Sequence, residues 1–169
     1  MNSRVSVPLA CLLLLTAASL AFFIYFGQWF PPTMAVHFNA AGDPDGWMDR
    51  VKFIVIGTSM CFMLPPFLVA CVGVLPRVLP VSMINLPNRE YWLSSERREA
   101  SLSRITYLAL WLGCLVQAFL LAVFESVVRS NPVGGPAHLA GGAVVITLVF
   151  VAAIAVWALV LFRSFSAPE

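Results

Sequence analysis

Four long apolar runs constrain this chain more than any motif does, because none has an acidic, basic or histidine side chain near its middle. Residues 5–30, 53–75, 105–127 and 139–162 are each long enough to cross a hydrocarbon core, which takes about 20 helical residues. This pattern predicts an all-α polytopic membrane protein, a single domain built as a bundle of four transmembrane helices. Arg4 precedes the first run, and Tyr25, Trp29 and Phe30 close it with rings suited to the headgroup level. Ser19-Leu20-Ala21 loosely resembles a leader cleavage site, but the run continues through Tyr25, which favours a span.

Composition agrees: 60% of the residues are hydrophobic, 11% are charged, and the mean hydropathy is +0.90. A net charge of +2 with scattered basic residues excludes the basic face that nucleic-acid binding needs. Cys11, Cys61, Cys71 and Cys114 all fall in apolar runs, so they read as packing residues rather than a disulfide framework. Ionisable groups in mid-membrane mark proton and ion pathways, so their lack here speaks against a pump or coupled transporter. Gln117, Thr58, Ser59 and Thr147, polar residues within the runs, suit either a small polar cavity or, more commonly, packing between helices. Ala109 and Gly113, at small-xxx-small spacing, permit close helix approach. Pro65-Pro66 predicts a bend in the second span.

The runs leave loops at 31–52, 76–104 and 128–138. With both termini inside, Arg4, Arg77, Arg89, Arg97, Arg98, Arg104 and Arg163 lie inside, and Arg50, Lys52 and Arg129 lie outside. Seven against three favours an N-in, C-in arrangement. An inner or plasma membrane is the expected location.

Loop 31–52 is the richest in chemistry. Met34 to Asn39 is expected to be extended, and Asp43-Pro44-Asp45-Gly46 carries a type I turn signal. One reading makes the loop a cap that ties two helices together. Another makes it a ligand site on His37, Asn39, Asp43, Asp45 and Trp47. A third gathers His37, Asp45, Glu125 and His138, with Asp43 and Asp49 nearby in the loop, around a divalent metal such as zinc, which takes mixed imidazole and carboxylate ligands. No metal-binding spacing of known type is present, and no other cofactor is implied.

Loop 76–104 begins with alternating prolines expected to lie along the interface. Ser94 or Ser95 could then cap a helix with Glu96 in its first turn, continuing through Arg104 into the third span. Asn85, Pro87, Asn88, Arg89, Tyr91 and Trp92 form either a stiff elbow or a docking surface. In the docking case, Arg89, Arg97 and Arg98 supply charge for a cytoplasmic protein or anionic headgroups.

Pro32, His37, Phe38, Asn39, Gly42, Pro44, Asp45, Trp47 and Lys52 together resemble the signature of the domain of unknown function 1648 family. The run Asn85-Leu86-Pro87-Asn88-Arg89, followed by Tyr91-Trp92-Leu93, resembles a second segment of its four-span members. The family includes Sdp-type immunity and signalling proteins, larger membrane proteins that protect a cell against a secreted peptide toxin. For a short four-span chain the resemblance implies a membrane location and no assigned activity.

No nucleophile elbow, phosphate loop or dinucleotide fingerprint is present. The expected function is therefore non-enzymatic: a membrane module that binds or senses a peptide, lipid or small ligand on its outer loop, or acts in an immunity-like way. The alternatives are an accessory subunit of a larger membrane complex and a metal-dependent membrane enzyme.

Overall fold

The computed structural model describes residues 3–166. The chain runs α1 (Ser3–Phe26), β1 (Thr33–Phe38), β2 (Pro44–Asp49), α2 (Arg50–Val69), α3 (Arg89–Trp92), α4 (Arg98–Arg129) and α5 (Ala143–Ser164). Four of these helices are long and apolar enough to cross a membrane, so the chain is a multi-pass membrane protein of predominantly helical build.

The hub is α4, which packs against α1, α2 and α5. Half of its most apolar stretch is buried, against none of the corresponding stretch of α5. Small residues make the close approaches. A Cβ on Gly113 would stand 2.8 Å from Val69, and one on Gly57 only 2.3 Å from the Phe23 ring. Ala109 is likewise buried, against Gly73. The expected small-xxx-small seam is therefore where α4 meets α1 and α2.

The helix α2 runs past Pro65-Pro66 as far as Val69. Pro65 is buried, α2 gives way to a π-helical turn at Ala70–Val74, and the Thr106 hydroxyl reaches the Gly73 carbonyl at 2.7 Å. A neighbouring helix thus satisfies a carbonyl that a membrane could not hydrate. Gln117, fully buried, donates to the Ser19 hydroxyl at 2.7 Å, which itself donates to the Leu15 carbonyl. This joins α4 to α1 at depth and is the packing role expected of it.

Two local expectations are corrected. Loop 31–52 contains an antiparallel two-stranded sheet, and its turn lies at Asn39–Asp43 rather than at Asp43–Gly46. The Asn39 carboxamide oxygen accepts from the amides of Ala41 and Asp43, both at 2.9 Å, and Gly42 takes the positive φ of 88° the turn requires. Pro44, which has no amide to donate, therefore opens a strand instead of a turn. At the other end of the molecule, α4 starts at Arg98, without a Ser94 or Ser95 cap. Its first-turn acid is Glu99, held by Arg77 at 3.0 Å. Ser101 secures this start from within by donating to the Trp92 carbonyl at 2.7 Å.

Candidate functional site

Burial decides which side chains of the hairpin can act. Met34 and Ala35 are fully buried, over a cluster in which Phe23, Phe53 and Phe124 meet edge to face at centroid distances of 5.3 to 6.2 Å. Along β2, exposure alternates, so Asp45, Trp47 and Asp49 face outward while Gly46 and Met48 face the protein. The hairpin is a lid seated on aromatic rings, with acidic and aromatic side chains on its free face.

Its seat is fixed by a residue that sequence reasoning passed over. Asn131, buried just past the end of α4, accepts from the Ala35 amide at 2.7 Å and donates to the Ala35 carbonyl at 2.9 Å. Its NH2 also reaches the Val127 carbonyl at 2.8 Å. The carboxamide thus pairs with the outer edge of β1 as a neighbouring strand would. The following loop adds backbone bonds, from Leu139 to the Gly42 carbonyl and from His138 to the Ser130 carbonyl. On the other side, Asp49 caps α2 through the amides of Val51 and Lys52, and Arg50 donates to the Phe30 carbonyl at 3.1 Å.

Within this frame the register shifts between Ala35 and His37 and again between His37 and Phe38. His37 consequently stands opposite Gly46, where a Cβ would come 2.8 Å from its own Cβ. The bare glycine lets the imidazole lie along β2 and pair through Nδ1 with the Asp45 carboxylate. The pair is open to solvent, at 74% side-chain exposure for His37 and 45% for Asp45. Trp47 is 56% exposed. Asn39 is spent on the turn.

The remaining outer residues form separate pairs. His138 approaches Asp43 at 3.8 Å and lies over Gly42, while Glu125 pairs with Arg129 one turn along α4. Glu125 is therefore not gathered with His37, Asp45 and His138. Among the described residues, no three His, Cys, Asp or Glu side chains meet as a metal-holding group.

The elbow candidates are largely engaged in structure. Asn88, in the left-handed region at φ 50°, donates to the Phe165 carbonyl at 3.1 Å, and the Trp92 indole N–H reaches the same oxygen at 3.1 Å. Arg89 donates to the Ser82 carbonyl at 2.9 Å. The Arg97 guanidinium lies 4.2 Å above the Tyr91 ring. Asn85 is exposed and Pro87 half-buried. These contacts staple loop 76–104 to the end of α5.

No curated protein and no solved structure matches the chain. The stretch that matches a family model covers the latter part of α1, the whole hairpin and the first half of α2, and leaves out Phe124 and Asn131, which also seat the lid. Residues 13–60 match the model of a domain of unknown function (DUF1648).

Proposed function

We propose that the chain is a non-enzymatic binding or sensing module of a bacterial plasma membrane, with both termini inside and the hairpin lid as its outer recognition surface. The observation that carries this reading is the contrast across one hairpin. Met34 and Ala35 are buried and Asn131 holds the edge of β1, while His37, Asp45 and Trp47 are exposed to solvent. A rigid backbone presenting an imidazole, a carboxylate and an indole suits a ligand with both polar and apolar groups, such as a peptide. An immunity-like role is one form such recognition takes.

The test is a photo-reactive amino acid placed at Trp47 in the full chain, followed by irradiation of native membranes. One discrete non-lipid species should be captured, and His37→Ala or Asp45→Ala should abolish capture while leaving membrane insertion unchanged. Capture of bulk lipid alone, or capture unaffected by both substitutions, would exclude the lid as a recognition surface.

A second reading, an accessory subunit of a larger membrane complex, draws support from α5. That helix has no buried residue and exposes Val144, Leu148, Val151 and Val156. A stable larger complex that survives purification and is broken by Val→Trp changes on α5, but not by changes on the lid, would favour it.

A further inference from the structure

We infer that the end of the molecule opposite the lid holds a binding site for an anionic phospholipid, in a groove between α1 and α5 with α4 as its floor. This inference is independent of the lid. The groove encloses about 1340 Å³, with Val5 and Val7 of α1 on one wall and Val160 and Ser164 of α5 on the other. Its floor is a single stripe of α4: Arg104, Tyr107 and Trp111 lie three and four residues apart, a spacing that puts them on one helix face.

Along that stripe the chemistry changes in the order of a phospholipid. Arg104 and Arg97 line the mouth, while Tyr107 and Trp111, with ring centroids 6.4 Å apart, line the part below it. Trp111 lies about 10 Å further along the helix than Arg104, at about 1.5 Å per residue. The apolar run of α4 begins at Ile105, so the arginines stand at headgroup level and the aromatic rings at the depth of the upper acyl chain. A soluble anion would need the mouth and leave the apolar floor without a partner.

Charge selects the headgroup. Arg104 donates to the Ser164 carbonyl and Arg97 lies on the Tyr91 ring, but among the described residues neither forms an ion pair with a carboxylate. Glu99, the acid that lines the groove, is held by Arg77. Two guanidinium groups therefore face the groove uncompensated, with the fork geometry that suits phosphate. A zwitterionic headgroup would bring its own cation to the same mouth.

The full chain in mild detergent, titrated with dioleoyl phosphatidylglycerol and dioleoyl phosphatidylcholine and read by native mass spectrometry, tests the site. The anionic lipid should bind about 30-fold more tightly than the zwitterionic one, at about 1 kcal/mol for each arginine. Arg97→Gln should reduce that preference about 5-fold and Arg97→Gln with Arg104→Gln about 30-fold, if each arginine contributes as juxtamembrane basic residues do. Lys52→Gln, at the lid end, should leave it intact. Brominated phosphatidylglycerol should quench wild-type tryptophan fluorescence more than that of Trp111→Phe. Arg104 also holds the end of α5, so the single Arg97 substitution decides the matter if the double variant unfolds. Equal binding of the two lipids, a preference undiminished by Arg97→Gln, an equal loss in Lys52→Gln, or displacement by millimolar glycerol 3-phosphate would each overturn the assignment.

Discussion

The lid and the elbow both join helix ends through side chains that bond distant backbone, yet they leave different groups free. In the lid, strand pairing and one buried carboxamide do the joining, and Asn39 and Asp49 close the turn and cap the helix. His37, Asp45 and Trp47 stay open to solvent. In the elbow, the distinctive polar side chains are themselves the fasteners: Asn88 and Trp92 on Phe165, Arg89 on Ser82 and Arg98 on the carbonyls of Arg77 and Leu79. A conspicuous polar motif can therefore be a surface in one place and a staple in another. What separates them is whether the backbone is held by other means.

The contrast breaks first at Asn131. Replacing it by Ala strips both polar groups of Ala35 of their partners in a fully buried setting. Each unsatisfied group costs about 1–3 kcal/mol. The expected loss is about 2–5 kcal/mol of lid stability, seen as rapid amide exchange across residues 33–49 with the helices still protected. Slow exchange throughout would show that the aromatic seat alone holds the lid.

Gly46→Ala comes next. The new Cβ meets His37 Cβ at 2.8 Å, so the strands must part or the imidazole must swing away from Asp45. Overpacking of this kind costs about 1–3 kcal/mol. The His37 ring resonances should shift and the hairpin exchange faster, whereas unchanged spectra would mean that the close approach across the register shift is not maintained.

How much of this was legible follows from the range of each interaction. The four apolar runs were plain because a bilayer imposes length and composition on every span, whatever it packs against. The continuation of α4 through Arg104 into the third span was read from a Ser94 or Ser95 cap, and it holds although the helix starts at Arg98 without that cap. The hairpin turn was not: Asn39 to Gly42 and Asp43 to Gly46 are both good turn sequences, and burial of Met34 and Ala35 chose between them. Asn131 carried no signal, since its partner Ala35 lies 96 residues away. For Trp92 the elbow and docking readings stayed open, because its N–H is claimed by a carbonyl 73 residues distant.

On the elbow, Trp92→Phe removes that hydrogen bond while keeping an aromatic ring near Phe165, 5.7 Å away between centroids. A net cost of about 0.5–1.5 kcal/mol is expected, read as a lower denaturation midpoint together with earlier proteolysis at the end of α5. Full retention of both would make the elbow a free surface like the lid, and the contrast between the two ends would collapse.

The smallest stability effect belongs to His37→Ala. Its pairing with Asp45 is exposed on both sides, and surface ion pairs contribute about 0–1 kcal/mol. The melting temperature should therefore stay within a degree or two while capture of a partner at Trp47 is lost. Those two readouts must separate if the outer face is there for recognition. Should His37→Ala unfold the lid as Asn131→Ala does, the imidazole would be one more fastener, and the two ends of the molecule would differ only in which residues hold them shut.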